Sequence, residues 1–237
     1  MGIEAVVFDW GGTLTPITEV DPVAVWLGAA GLLAPDRVDK LAASLAHAQD
    51  DVWTTTFESG RSGRVVDVVR AAMADCGLAV ADDAVIDAAV AAHLSEWVPH
   101  TRAHPCAVTV LETLRKLGFR TGLLSNTHWP RDWHEERLVD DGLAELLDAA
   151  VFTSDLEYRK PHAAAFGAVL DALDVKADRA VFVGDRMHDD MFGANAMGMR
   201  TIWIRNAASM SWDVEPDSVV DSLAEVVGVV GRWSAGA

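Results

Sequence analysis

Four polar elements of the sequence carry side chains that could act together on one anionic group. The first is Asp9, which ends the apolar run "AVVFD" and is followed by "WGGT". Ser125 and Asn126 close the apolar run "RTGLLSN", Lys160 lies in "RKP", and Asp185 opens a short acidic segment. Each of these residue types is common by itself in helix caps and turns, so the functional prediction depends on their combination.

The chemistry that these groups share is the binding and transfer of a phosphoryl group. A carboxylate such as Asp9 can act as a nucleophile and form an aspartyl-phosphate. Asp185, with the neighbouring pair Asp189 and Asp190, offers the hard oxygen ligands that Mg²⁺ takes together with substrate phosphate. Lys160 supplies a positive charge for the anion. Further donors for the phosphate oxygens are the side chains of Ser125 and Asn126 and the backbone N–H groups of Gly12 and Thr13.

Short apolar runs that predict β-strands precede all of these elements. The runs alternate with amphipathic segments, a pattern typical of a parallel sheet covered by helices on both faces. In such a sheet the carboxyl ends of the strands meet at one edge, where ligands bind. We therefore expect a doubly wound, Rossmann-like α/β fold that brings the polar elements into one cleft. The predicted strands are 5–9, 120–126, 149–154, 179–185 and 200–205, and the predicted helices of this core are 106–118, 134–147, 162–174, 189–199 and 221–233.

A second domain is predicted between the first strand and the rest of the sheet. In residues 16–100 apolar positions recur at helical spacing and no strand pattern is present. We expect a helical cap domain over 16–100 and a catalytic core over 1–15 and 101–237. The prolines of 94–106 predict a hinge between the two domains, and 206–217 is predicted to be a surface connection.

The order and spacing of the motifs resemble the haloacid dehalogenase superfamily over nearly the whole chain. The resemblance implies that the insert is the family's helical cap and that Asp9 is the nucleophile. It also implies that Gly11, through its backbone carbonyl, would ligate Mg²⁺ beside the carboxylates of Asp9, Asp185 and Asp190. The motifs that carry the resemblance are "FDWGGTL" (8–14), "LLSNT" (123–127), "RKPHAAAF" (159–166) and "VGDRMHDDMFGANAMGM" (183–199).

The same resemblance implies roles for the remaining polar residues of these motifs. Asp189 would be a neighbour of the metal site that orients water molecules. The phosphate group would be held by Thr13, Ser125, Asn126 and Lys160.

The sequence departs from the family's pattern at Gly11. The family's phosphatases usually carry Asp at this position, two residues after the nucleophile. That Asp protonates the leaving alcohol and later activates water against the aspartyl-phosphate. A positioned general acid or base contributes about 10²–10⁴-fold in rate. Because of this glycine, the sequence is compatible with several functions.

We adopt as the main prediction a Mg²⁺-dependent phosphomonoester phosphatase that acts on a small phosphorylated metabolite through Asp9. Its leaving group would need little protonation, or an acid would come from the cap or from water. A phosphonatase-like C–P hydrolase carries Ala at this position and needs a cap lysine for a Schiff base, for which the insert offers only Lys40. A 2-haloacid dehalogenase lacks the acidic fourth motif, whereas this chain has Asp185, Asp189 and Asp190. A catalytically weak or inactive protein that binds phosphate and Mg²⁺ is the non-enzymatic alternative.

Residues near the motifs are further candidates for the wall of the site. Trp10 follows Asp9 directly, and His128 follows "SNT". His188 lies inside the fourth motif and is expected to face solvent near the metal. Arg61 and Arg64, in "ESGRSGR", either reach into the cleft for a substrate anion or belong to a simple turn between helices.

Composition limits the classes of partner. The formal net charge of −17 repels nucleic acid phosphates, so no nucleic-acid partner is expected. The N-terminus shows no signal-peptide pattern, and no charge-free apolar run reaches the roughly 18 residues of a membrane span. We therefore predict a cytoplasmic protein without a membrane partner, in which Cys76 and Cys106 are idle or buried thiols rather than a disulfide.

Overall fold

A parallel six-stranded sheet forms the centre of the molecule. The computed structural model of the chain describes residues 2–79 and 81–235. The strand order is β3-β2-β1-β4-β5-β6, and every neighbouring pair is parallel. The doubly wound α/β prediction is thus confirmed. The strands are β1 (Ala5–Phe8), β2 (Arg120–Ser125), β3 (Ala149–Phe152), β4 (Ala180–Gly184), β5 (Arg200–Ile204) and β6 (Ser218–Val220).

The alternation of side chains along β1 explains why both faces of the sheet are covered. Val6 and Phe8 belong to a buried cluster with helix α5 (Ala107–Lys116) and helix α9 (Val226–Ala235). The intervening Ala5 and Val7 belong to a cluster on the opposite face, with helices α7 (Ala163–Leu173) and α8 (Gly193–Ala196). Because successive side chains of a strand point to opposite faces, an all-apolar strand is buried on both.

The stretch between β1 and α5 is helical and has a core of its own. Trp26, Leu45, Val69 and Ile86 are among the fully or almost fully buried side chains of this cluster. Trp133, from the segment after β2, joins the same cluster and so links the helices to the sheet. The division into domains at residues 16 and 100 stays a prediction, and Met1, Val80, Gly236 and Ala237 lie outside the described residues. The helices of this stretch are α1 (Leu27–Leu33), α2 (Val38–Ser59), α3 (Val65–Asp75) and α4 (Asp83–Trp97).

Three sequence predictions for the core are wrong in detail. The single helix predicted over 134–147 is α6 (Arg131–Asp140), which ends before a turn where Gly142 has a φ of 70°. That left-handed conformation favours glycine and stops the helix. The segment predicted as a helix over 189–199 begins as a π-helix, Met187–Phe192, and only then continues as α8. Strand β6 lies within no predicted strand, because three residues are too few to establish a period.

Candidate active site

The predicted polar elements do meet at the carboxyl edge of the sheet. Strand β1 lies between β2 and β4, which end at Ser125 and Gly184. Asp9 follows β1 directly, and its backbone N–H donates to the carbonyl of Val183 at 2.9 Å. Asp185 follows β4 in the same way. Adjacent parallel strands thus place two carboxylates side by side, although they are far apart in the chain.

Lys160 lies buried between two of the carboxylates. Its Nζ donates to Asp9 Oδ1 and to Asp190 Oδ1, both at 2.7 Å. Burial by itself lowers the pKa of Lys160, but the adjacent carboxylates of Asp190 and Asp9 outweigh it and hold that pKa above its ordinary value. The lysine is therefore a fixed positive charge beside Asp9.

Asn126 holds the backbone of Lys160 in this position. Its Oδ1 accepts from the Lys160 N–H at 2.8 Å, and its Nδ2 donates to the Lys160 carbonyl at 3.0 Å. The same Nδ2 lies 3.3 Å from Asp189 Oδ2. The amide that the sequence suggested as a phosphate ligand is thus already bonded to protein groups.

Three buried carboxylates form a group that fits a cation. Asp9, Asp185 and Asp190 each offer an oxygen within 4.8 Å of the others. Burial, followed by the charge of Asp9, raises the pKa of Asp185 to about 6, and Asp185 Oδ1 is buried without a hydrogen-bond partner. Burial is also the main cause that raises the pKa of Asp190, to about 7, against the lowering effect of Lys160. Like charges held this close, with one oxygen unsatisfied, suit a hard divalent cation such as Mg²⁺.

Two glycines, which have no Cβ atom, leave the space that two of these carboxylates occupy. A Cβ on Gly12, whose φ is 85°, would lie 2.4 Å from Asp185 Oδ2. A Cβ on Gly184 would lie 2.4 Å from Asp190 Oδ2. Both positions therefore exclude a side chain while the carboxylates keep their places.

Gly11 is different, because nothing around it demands a glycine. It is exposed, and no heavy atom lies within 4 Å of the Cβ that a side chain would add. Its φ is not in the left-handed region. This position thus has room for the Cβ of a side chain, and packing does not explain the glycine.

The hydrogen bonds of the loop after Asp9 differ from the expectation that its backbone N–H groups are free to bind phosphate. The N–H of Gly12 donates to the Thr15 carbonyl at 2.8 Å, and that of Thr13 donates to the Trp10 carbonyl at 3.1 Å. Both predicted N–H donors are therefore used by the turn itself. The hydroxyl of Thr13, in contrast, is buried without a partner and so remains a candidate ligand. Ser125 is buried and lines the cavity described below.

Asp189 lies in a buried ion pair, and the expectation that it orients water stays a prediction. Its Oδ2 accepts from Arg159 Nη2 at 2.8 Å, and its Oδ1 lies 2.9 Å from His188 Nδ1. Burial by itself raises the pKa of Asp189, but His188 and Arg159 lower it below the ordinary range. His188, expected to face solvent, packs with its ring 4.2 Å from that of Trp212. Sequence reasoning missed Arg159, although it stands beside Lys160 in the same motif.

A cavity of about 550 Å³ adjoins the carboxylates and lies between the sheet edge and the helices. Trp10 and His128, the two candidate wall residues, both line it. Burial lowers the pKa of His128 to about 4, so its imidazole is neutral near pH 7. Among the described residues, Arg186 is the only lysine or arginine that lines the cavity. The remaining side chains of the wall are mostly aromatic or small and polar.

The basic residues that the sequence suggested in the helical segment do not line this cavity. Arg61 Nη1 is 3.1 Å from Glu157 Oε1, and Arg64 Nε is 3.5 Å from Asp67 Oδ2. Neither lines the cavity, so this loop is a turn between helices that docks on the core. Lys40 is exposed on α2 and does not line the cavity either.

Comparison with known proteins agrees with this architecture. A family model described as haloacid dehalogenase-like hydrolase matches residues 3–198. The chain therefore belongs to the haloacid dehalogenase-like hydrolase family.

Individual relatives carry the names of two different activities. A glyceraldehyde 3-phosphate phosphatase of Pyrococcus furiosus is 30% identical over 152 residues, which cover 62% of each chain. The chain thus spans about three fifths of the length of the curated relatives it matches. The structure of a 2-haloacid dehalogenase from Pseudomonas syringae is 27% identical, with a TM-score of 0.66 and coverage of 98% of this chain and 99% of that one. A phosphatase structure from Thermococcus onnurineus, at 22% identity and a TM-score of 0.64, shares the fold over 98% of this chain and 100% of that one.

Among residues 2–79 and 81–235, no helix has both the length and the apolarity that a membrane span requires.

Proposed function

We propose that this protein is a Mg²⁺-dependent phosphatase that hydrolyses a small phosphorylated compound through an aspartyl-phosphate on Asp9. The observation that carries the proposal is the buried group in which Asp9, Asp185 and Asp190 lie within 4.8 Å of one another, with Lys160 bonded between Asp9 and Asp190. Carboxylates for a metal, next to a cation for phosphate oxygens, are what phosphoryl transfer needs. The relatives named as phosphatases support the same reading.

In this proposal each residue has a defined task. The carboxylate of Asp9 attacks phosphorus, and the buried ammonium of Lys160 holds that carboxylate in place by a hydrogen bond of 2.7 Å. Asp185 and Asp190 would hold Mg²⁺ together with Asp9 and the carbonyl of Gly11. The ion, when bound, supplies positive charge for the phosphate oxygens. The Thr13 hydroxyl and Ser125 would bind the phosphate group.

The helical segment and the cavity complete the proposal. We propose that residues 16–100 form a cap that excludes water from the cavity during phosphoryl transfer. A cytoplasmic location would fit a phosphorylated metabolite as the substrate.

The residues around the site favour a phosphatase over the two other enzyme readings. A dehalogenase needs no metal. Here three buried carboxylates lie close together, which costs free energy, and a bound cation would reduce that cost. A phosphonatase-like reaction needs a lysine in the cavity for a Schiff base, and Lys40 lies exposed outside it. The 27% identical dehalogenase structure therefore supports the shared fold more than a shared reaction.

The test is phosphate release by the purified protein on a panel of phosphomonoesters, with Mg²⁺ or with a chelator. We expect release that requires Mg²⁺ and that falls to background in Asp9→Asn. Asp171→Asn, which changes an exposed carboxylate on α7, is the matched control and keeps the wild-type rate. Equal rates for Asp9→Asn and wild type would refute the proposal.

A further inference from the structure

The cavity beside the carboxylates is walled by indole rings. Five of the nine tryptophans line it: Trp10, Trp53, Trp97, Trp129 and Trp133. The ring of Trp129 lies 4.8 Å from that of Trp133 and 5.1 Å from that of Trp97. Such rings offer large flat apolar surfaces, against which an aromatic ligand packs in offset or edge-to-face geometry. The shape and chemistry of the wall therefore favour a flat apolar group.

Polar side chains of the wall are largely bonded within the protein. Gln49 Oε1 accepts from the indole of Trp26 at 3.0 Å, and Thr127 Oγ1 lies 2.9 Å from His134 Nε2. The hydroxyl of Thr15 donates to a backbone carbonyl of its own loop at 3.2 Å. A sugar or another polyhydroxylated ligand requires free hydrogen-bond partners in its pocket, since each unpaired hydroxyl would lose its water. Among the described wall side chains, the buried polar atoms without a partner are Trp97 Nε1, His134 Nδ1 and Asp185 Oδ1. The wall therefore offers few hydrogen bonds to a polyhydroxylated ligand and disfavours it.

The absence of an acid at Gly11 restricts the leaving group independently of the wall. When the bond from phosphorus to the ester oxygen breaks, an alkoxide needs a proton, because its conjugate acid is about as weak as water, with a pKa of roughly 16. A phenol resembles the tyrosine side chain, whose pKa is about 10. A phenolate therefore leaves without a general acid much more readily than an alkoxide.

We propose that the substrate is an aryl phosphate, whose uncharged aromatic ring packs among the cavity tryptophans and whose weakly basic oxygen leaves without help from residue 11. The inference rests on the phosphatase function proposed above and deepens it. The aromatic wall and the open, acid-free position at Gly11 are separate observations that select the same kind of leaving group.

The reaction balances without a further reactant. A carboxylate oxygen of Asp9 forms a bond to phosphorus while the bond from phosphorus to the aryl oxygen breaks and the phenolate keeps its electron pair. Water then attacks phosphorus, and the Asp9 carboxylate leaves. One proton of the water stays on the phosphate, and the other reaches the phenolate through solvent. Aryl phosphate and water thus become phenol and inorganic phosphate.

Four probes separate the two parts of the proposal. 2-Naphthyl phosphate has both the ring and the weakly basic oxygen, and 2-(2-naphthyl)ethyl phosphate has the ring but an alkoxide leaving group. Acetyl phosphate has a weakly basic leaving group without a ring, and glyceraldehyde 3-phosphate has neither. We expect the kcat/KM of the naphthyl ester to be the highest, and to exceed that of the naphthylethyl ester by about 10²-fold or more.

Substitution at Gly11 tests the leaving-group argument. Because the position has room for a side chain, Gly11→Asp should fold and restore a general acid. We expect it to raise kcat/KM for the naphthylethyl ester by about 10²-fold or more over Gly11→Asn, its isosteric control. The preference for the naphthyl ester should shrink accordingly. An unchanged preference in Gly11→Asp would overturn this part of the inference.

Substitution in the wall tests the aromatic argument. Trp53→Leu should lower the ratio of kcat/KM for naphthyl phosphate to that for acetyl phosphate. Trp233 lies outside the cavity and packs under Arg200, so Trp233→Leu is the control that keeps the wild-type ratio. An unchanged ratio in Trp53→Leu would overturn the role of the wall.

The results also separate this inference from the function on which it rests. Release that depends on Asp9 and Mg²⁺ but that favours glyceraldehyde 3-phosphate or the naphthylethyl ester would overturn the aryl preference alone. The absence of turnover for all four probes would overturn the phosphatase proposal, and this inference with it.

Discussion

Two adjacent glycines of the loop after β1 have opposite structural meanings. Gly11 has open space where a side chain would project, whereas Gly12 has a positive φ and a carboxylate of Asp185 against its Cα. The sequence shows only "GG", which is typical of any tight loop. The contrast matters because, in the proposed function, residue 11 would determine whether a general acid is present, whereas Gly12 leaves the space that Asp185 occupies.

This contrast gives the first prediction. Gly12→Ala would place a methyl group 2.4 Å from Asp185 Oδ2 and displace that carboxylate. Since a displacement of about 1 Å can cost 10²-fold in rate, we expect kcat/KM with Mg²⁺ to fall by at least about that factor. Gly11→Ala, which meets no atom, is the control for adding a methyl group to the loop. Equal activity of the two variants would contradict the inference that Gly12 leaves the space that the Asp185 carboxylate occupies.

At the scale of elements, Arg159 connects the helices to the site. Its Nη2 donates to Asp189 and its Nη1 donates to Thr56 Oγ1 of α2 at 3.2 Å, while its guanidinium lies over the ring of Trp53. Because Arg159 precedes Lys160, this contact joins α2 to the loop that carries the buried lysine. We infer that the position of α2 and that of Lys160 depend on each other.

The second prediction concerns the stability of this connection. Arg159→Leu removes the guanidinium that lies 2.8 Å from the buried Asp189 and leaves that of Arg186 at 3.9 Å, so we expect the free energy of unfolding to fall by about 3 kcal/mol. Adding Asp189→Leu should recover part of that loss in a double-mutant cycle measured by urea denaturation. The exposed pair Arg70–Asp83 is the control, and Arg70→Leu should cost no more than about 1 kcal/mol. Equal losses for the two arginine variants would contradict a buried, structural ion pair.

The sequence predicted the strands that present the site better than it predicted the contacts within the site. Apolar runs before Asp9, Ser125 and Asp185 were enough to place these residues at one edge, because the carboxyl ends of parallel strands always meet there. The ion pair between Asp189 and Arg159 could not be predicted in this way. Their pairing depends on how the π-helical turn directs Asp189 toward Arg159 in the loop after β3, and the spacing of residues in the sequence does not show that direction.

The helical segment and the cavity could also be predicted only in part. Helical spacing was enough to predict that residues 16–100 are helical. It could not show that Trp129 and Trp133, which follow β2, pack against those helices and form a common wall with Trp97. Long-range packing of this kind arises from the three-dimensional arrangement of elements, and no local pattern reports it.

At the scale of the whole molecule, buried histidines make stability depend on pH. Burial lowers the pKa of His93 to about 4, of His128 to about 4 and of His134 to about 3. In the unfolded chain the same groups have a pKa near 6.5. Between these values the unfolded state binds more protons than the folded state, so stability is complete above pH 6.5 and is lost as the pH falls toward 4.

The third prediction follows from this linkage. In His93→Phe, which keeps a ring against Trp26, the free energy of unfolding should fall less steeply between pH 6.5 and pH 4.5 than in the wild type. The slope should differ by up to about 1.4 kcal/mol per pH unit, because one fewer proton is taken up on unfolding. His47 is exposed on α2, so His47→Gln is the control for replacing a histidine at the surface. Identical slopes for His93→Phe and wild type in urea titrations would contradict the account.

The central claim is that phosphoryl groups pass through Asp9, and one measurement tests it most directly. The enzyme is mixed with 2-naphthyl phosphate and Mg²⁺, quenched in acid during turnover, and mapped by peptide mass spectrometry. The account predicts a phosphoryl group on Asp9 in the wild type, its absence in Asp9→Asn, and no phosphate release by that variant. Phosphate release by Asp9→Asn at the wild-type rate, with no phosphoryl group on Asp9 in the wild type, would contradict it.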